Sequence, residues 1–267
     1  MSVFSSSIRT AAIVARLRAA GCVFAEDEAE LLLSTASTPA DLDAMVARRV
    51  AGEPLEHVLG WAEFCGLRVY VEPGVFVPRP RTAFLIEAAV ALAREVEGTP
   101  VVLDMCCGTG AMGAAVAAGL PRAELHAADL DPAAVRCARR NLTGSATVYE
   151  GDLYDPLPAT LRGRVDLLIA SPPYVPSESV GLLPPEARLH EPLLALDGGA
   201  DGLDVVRRVI AGAPAWLAPG GRLLVETSER QAEATAESVR AAGLAAQVAT
   251  SDDLDATAVI GTRRREV

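Results

Sequence analysis

Four places in this chain carry residue types and spacings suited to holding a polar ligand. The first is the run Asp104 to Gly110, D-M-C-C-G-T-G, directly after the apolar stretch Val101 to Leu103. Gly108 and Gly110 at a strand-to-helix turn allow close backbone approach, and the next helix offers free N–H groups. An acid before the glycines is awkward beside a pyrophosphate, because like charges repel, and comfortable beside a neutral or cationic ligand. About twenty residues later Asp129 ends a second apolar stretch and is followed by Leu130. An acid at that place suits the hydroxyls of a ribose. Asp131 precedes Pro132, the signature of a helix N-cap, and is assigned to that role. Asp152 and Leu153 follow a third strand-like stretch, where a carboxylate could accept from a purine amino group. The fourth place is Ser171-Pro172-Pro173-Tyr174. Its prolines fix the backbone and remove donors, so the carbonyls of Ser171 and Pro172, one hydroxyl and an aromatic face suit a planar NH₂ group.

Positioning these groups takes a sheet. From about residue 82 apolar strand-like runs alternate with helical ones: strands near 101–104, 124–129, 146–150, 165–170, 222–227, 244–250 and 257–262, helices near 82–97, 111–119, 132–142, 202–217 and 229–243. Such alternation predicts an α/β fold whose mostly parallel sheet is covered on both faces, with ligands at the carboxyl ends of its strands. Residues 5–52 read as helical throughout, with Leu31, Leu32 and Leu33 in Asp27 to Ser34 and Thr38-Pro39 as N-cap and first-turn proline of Asp41 to Val50. Residues 53–81, rich in Gly and Pro around the alternating Leu67 to Val71, read as a hairpin-like connector. The expected organisation is therefore a helical domain over 1–52, a linker over 53–81 and a ligand-binding domain over 82–267.

Composition narrows the classes. The chain has 267 residues, 51% of them hydrophobic, and a net charge of −11. That is enough apolar material for a full core, and the acidic balance argues against phosphate-led nucleic-acid binding. All basic side chains other than the histidines are arginine. Five cysteines without C-x-x-C spacing suit a reducing cytosol better than a disulfide framework or a zinc site, so a cytoplasmic location is expected. No apolar run is long enough for a membrane span. Residues 1–25 have Ser and Arg but no acid, as transit peptides do; Ile13, Leu17 and Ala20 at helical spacing read instead as an amphipathic helix. His57, His126 and His190 are given no catalytic role, and the oligomeric state is left open.

Taken in order, these motifs resemble those of class I S-adenosyl-L-methionine-dependent methyltransferases and, more narrowly, of the HemK/PrmC release-factor glutamine methyltransferases. Arg49 to Leu55 is similar to the family's R-x-x-G-E-P-L, Val77 to Pro80 to I-P-R-P, Asp104 to Gly110 to D-x-G-x-G-x-G, and Ser171 to Tyr174 to N-P-P-Y. Glu191-Pro192, Ala195 to Gly199 and Asp201 to Leu203 resemble E-P, A-L-D-G-G and D-G-L; Pro219 to Gly221 with Glu226 and Gln231 resembles P-G-G with E-x-x-x-x-Q. The resemblance implies a helical substrate-recognition domain, a Rossmann-like seven-stranded domain, S-adenosyl-L-methionine as cofactor and a peptide chain release factor as partner. It implies cofactor contacts by Asp104, Cys106, Gly108, Gly110, Asp129, Leu130, Asp152, Leu153 and Ser171, and an amide clamp of Ser171, Pro172 and Tyr174. Three departures stand out: Cys106 replaces a glycine, Arg81 and Ala83 replace two acids of P-R-P-E-T-E/D, and Ser171 replaces asparagine. Serine offers one hydroxyl where asparagine offers a whole carboxamide. A related enzyme acting on another planar nitrogen, on a small molecule or a nucleic-acid base, is the alternative, ahead of a non-catalytic cofactor-binding protein.

Overall fold

A computed structural model describes residues 3–120 and 122–265. Three helices open the chain: α1 (Val3–Ala19), α2 (Ala25–Thr35) and α3 (Pro39–Val50). The cap expected at Thr38-Pro39 is present, and a further break separates α1 from α2. Gly21 at φ +93° ends the first helix, and Thr38 starts the third by accepting from Asp41 N at 3.1 Å ahead of Pro39. Leu17, Leu32, Leu42 and Val46 close these helices around a small core of their own.

A short helix, α4 (Leu55–Leu59), was not foreseen among the glycines and prolines of the connector. It buries His57, whose Nε2 lies 2.8 Å from the Val75 carbonyl. The hairpin β1 (Trp61–Phe64) and β2 (Leu67–Tyr70) follows. Its two-residue turn holds Cys65 at φ +49° and Gly66 at φ +75°, the twist that best joins two antiparallel strands.

Then come α5 (Ala83–Ala93), β3 (Val101–Met105), α6 (Ala111–Gly119), β4 (Glu124–Asp129), α7 (Pro132–Asn141), β5 (Ala146–Glu150) and β6 (Val165–Ala170). Next are α8 (Pro185–His190), α9 (Asp204–Gly212), β7 (Leu217–Thr227), α10 (Ala232–Ala241), β8 (Ala245–Ser251) and β9 (Ala256–Thr262). Helix α9 stops short of the expected residue 217, because a 3₁₀ turn carrying Pro214 intervenes and β7 already begins at Leu217. The sheet order is β5-β4-β3-β6-β7-β9-β8, parallel except where β9 runs antiparallel between β7 and β8. A tight turn joins β8 to β9, and only an antiparallel pair can be closed so shortly.

Strand β3 is buried at every position and divides the core by alternation. Leu103 and Met105 pack with Val206, Val209 and Ile210 of α9 and Val239 of α10. Val102 packs on the opposite face with Leu85 and Ile86 of α5 and Val116 of α6. Asp104 shares that second face and so lies under the start of α6. Strand β3 has β4 on one side and β6 on the other, the switch point at which an open parallel sheet leaves a crevice. Among the described residues no helix is long and apolar enough to cross a membrane.

Candidate active site

The crevice above β3, β4 and β6 holds a cavity open to solvent. Met105, Ala128, Leu153 and Val205 give it apolar walls, while Asp129, Asp131 and Asp152 supply carboxylates against a single arginine, Arg208. Arg208 is tied to Asp152 at 2.7 Å. A cationic ligand suits such a chamber and a polyphosphate does not.

Asp129 accepts from Gly108 N at 2.8 Å through one oxygen and from Asp131 N at 2.9 Å through the other. The Leu130 N–H also bonds this carboxylate, which has about four lone-pair sites and so keeps acceptor capacity for a ligand hydroxyl. Burial, only partly offset by these donors, raises its pKa. Asp131 also lines the cavity and caps α7, accepting from Ala133 N at 2.8 Å. Gly108, at φ +54°, has open space where a Cβ would stand, so its backbone is bare to the cavity.

The predicted residues divide into groups. Cys106, Gly108, Asp129, Leu130, Asp152, Leu153 and Ser171 line the cavity together. Asp104 does not line it. It is fully buried beneath the turn, where one oxygen accepts from Gly113 N in the first turn of α6 at 2.8 Å and the other has no partner. Burial, opposed by that N–H and reinforced by Asp129, pushes its pKa up to about 7. Gly110 also lies outside the lining: at φ +76° it packs against Ala138 and Leu142 at the end of α7. Cys106 carries φ +57°, a conformation natural to glycine and strained for cysteine. Its thiol, desolvated and near Asp129 and Asp104, has a strongly raised pKa and stays protonated.

Pro172 and Tyr174 line a second cavity, with Arg79, Arg81, Glu186 and Glu226 on its walls. Ser171, Pro173, Ala195 and Phe76 line both cavities, and the Ser171 hydroxyl makes no hydrogen bond with any described residue. Tyr174 is held by its hydroxyl, which accepts from Arg81 Nη2 at 2.7 Å and lies 3.2 Å from Glu226 Oε1. Glu226 is buried and also accepts from the Thr82 hydroxyl at 2.7 Å. Gln231 Nε2 donates to the Tyr174 carbonyl at 2.9 Å and fixes the far end of the loop.

Phe76, Val205 and Arg208 are cavity residues that the sequence reading did not single out. Arg81 and Glu226 had been noted, one as a departure and one as a motif residue, without their meeting at Tyr174.

Comparison with known proteins bears on this arrangement. Residues 66–182 match the family model of the methyltransferase small domain. A release factor glutamine methyltransferase of Cereibacter sphaeroides is 40% identical over 264 residues, 91% of this chain and 92% of its own. The chain belongs to the release factor glutamine methyltransferase family. A 4-amino-L-phenylalanine/4-methylamino-L-phenylalanine methyltransferase of Streptomyces pristinaespiralis is 38% identical over 224 residues, 77% of this chain and 75% of its own. Among solved structures, a 16S rRNA N2 G1207 methyltransferase of T. thermophilus shares the fold, with a TM-score of 0.55, 22% identity and coverage of 76% of this chain and 50% of that one. The family and fold bring S-adenosyl-L-methionine as methyl donor, and the first cavity fits it: an acidic chamber for a sulfonium and an ammonium, spare acceptor capacity on Asp129, and a bare backbone at Gly108.

Proposed function

We propose that this protein methylates the side-chain amide nitrogen of a glutamine in the Gly-Gly-Gln motif of a peptide chain release factor. The observation that carries the reading is the Ser171–Tyr174 loop, whose Ser171 and Pro173 line both an acidic cavity and the second cavity that Pro172 and Tyr174 line. A nitrogen resting on that loop from the second cavity faces the first. When bound, the cofactor supplies a methyl group made electrophilic by its sulfonium.

The chain's own residues do the rest. Asp129 and the Gly108 backbone hold the cofactor's ribose end, with Leu130 and Leu153 against its base and Asp152 at the base's edge. Ser171 and the Pro172 carbonyl accept the amide N–H bonds. Those acceptors favour the positive charge that grows on nitrogen as its lone pair leaves conjugation, and the methylated nitrogen then releases one N–H proton to solvent. Tyr174 offers its ring face to the amide plane. Alignment of nitrogen and methyl within about 3–3.5 Å supplies much of the remaining rate. Residues 1–52 serve as the release-factor recognition domain, 53–81 as linker and 82–267 as the catalytic domain.

A second reading has a specific observation in its favour. Ser171 replaces a carboxamide with one hydroxyl, and the S. pristinaespiralis relative is named for an aromatic amine. Acceptor competition separates the two. With the purified protein and labelled cofactor, a release factor and free 4-amino-L-phenylalanine are supplied together. The proposed function expects label on the protein and none on the amino acid; the reverse pattern assigns the chain to a small aromatic amine.

A further inference from the structure

Residues 177–195 run past the second cavity as a strap of three short helical turns, the middle one being α8. None of those turns buries a side chain, and Leu182, Leu189, Leu193 and Leu194 are all exposed. Burial of apolar surface therefore does little to hold the strap, and its place depends on polar ties. One is Glu191, buried between Val77 N at 3.1 Å and the guanidinium of Arg79. At the strap's start Ser177 donates from its N to the Gly199 carbonyl at 2.9 Å and from its hydroxyl to Asp197 at 2.7 Å. Between these ends stands Glu186, whose Oε1 accepts from Arg49 Nη1 at 2.6 Å.

Arg49 is not free to follow a moving strap. Its side chain is 8% exposed. On α3, it is gripped by Glu28 of α2 through Nε at 2.6 Å and Nη2 at 3.1 Å, while Nη1 also donates to the Glu53 carbonyl at 3.0 Å. A planar fork with three N–H bonds so placed fixes the fourth, to Glu186, in direction as well as in position. Glu186 and Ala187 meanwhile line the cavity that Tyr174 and Ser171 line.

We infer that Arg49 is a positioning residue for the methyl acceptor: through Glu186 it sets the strap against the acceptor cavity and ties that strap to the N-terminal helices. The inference rests on the reading of the second cavity as the acceptor's. A consequence is that displacement of α2 or α3 by a docked partner is passed to the cavity wall through one guanidinium.

A double-mutant cycle tests this. Glu186→Ala cuts the tie and leaves the buried Arg49–Glu28 pair whole; Arg49→Lys keeps the charge but lacks the fork that reaches both carboxylates. With the release factor as acceptor, each single variant is expected to raise KM about tenfold, the scale of one charged hydrogen bond, with the cofactor Kd unchanged. The double variant should be no worse than either single, and Glu186→Asp should recover part of the loss. Hydrogen exchange on the cofactor-loaded protein gives a readout independent of any acceptor: both single variants should speed exchange in α8 and leave β3 and β4 as they were. Losses that multiply in the double variant, an unmoved KM, or unchanged exchange in α8 would overturn the inference. If the wild type fails to methylate a release factor, the proposed function falls, and the exchange result still decides the role of Arg49.

Discussion

Tyr174 has one phenolic proton, and Arg81, which has no acceptor, cannot take it. The proton therefore goes to Glu226, and the hydroxyl is saturated from both sides. Burial and the Glu226 charge push this phenol up to about 12. What remains for a substrate is the ring face and the neighbouring carbonyls. Cys106 is a second constrained residue, being left-handed at φ +57°. A β-branched side chain tolerates that conformation worst, so Cys106→Val is expected to cost about 1–3 kcal/mol, and Cys106→Gly less than about 1 in either direction, in urea denaturation. Asp104 adds a pH dependence. Its folded pKa of about 7 lies above the ordinary 3.8, so between those values the folded chain holds a proton that the unfolded chain has lost. Stability should fall as pH rises from about 4 through about 7 and then level off. Asp104→Asn should flatten that slope in denaturation curves across the window, leaving the contributions of Asp129 and Glu191, which have the same sign.

At the scale of elements, the turn between β3 and α6 uses its two glycines for different ends. A Cβ on Gly110 would stand 3.0–3.2 Å from a Leu142 methyl and from the backbone and Cβ of Ala138, which would have to give way by a few tenths of an ångström; on Gly108 it would meet nothing within 4 Å. Gly110→Ala is therefore expected to lower stability by about 1–3 kcal/mol, and Gly108→Ala to lower it less while weakening cofactor binding more. Thermal melts paired with cofactor titration separate the two. The turn and the strands were legible in sequence because each is a local pattern: buried parallel strands read as apolar runs, and glycines mark the turn. The start of α3 was legible too, because Thr38-Pro39 is a local N-cap signal, whereas the break at Gly21 lies among alanines that continue the helical pattern. Helix α4 was not legible, since its flanking Pro54 and Gly60 read as breakers when they serve as its two caps. Asp104 shows the limit for the site: an acid before a glycine turn reads as a ligand residue, and only strand alternation in three dimensions turns it beneath α6. The meetings of Arg81 with Glu226 and of Arg49 with Glu186 join residues more than a hundred positions apart, which no spacing rule reaches.

For the whole molecule, the parts agree on one direction of chemistry. An acidic cavity at the sheet's switch point suits a cationic donor, an adjoining cavity holds polar groups suited to a planar nitrogen, and a strap joins that second cavity to a separate helical core. The net charge of −11 adds a long-range field that favours the cationic cofactor over anionic competitors. The central claim is that the acceptor is a protein glutamine amide. Its most direct test is transfer from labelled S-adenosyl-L-methionine to a purified release factor, with the modified residue mapped by mass spectrometry. A factor altered from Gly-Gly-Gln to Gly-Gly-Ala serves as control. The account predicts one methyl group on that glutamine and none on the control. Label that persists on the control, or no label on either factor from a protein shown to bind the cofactor, would contradict it.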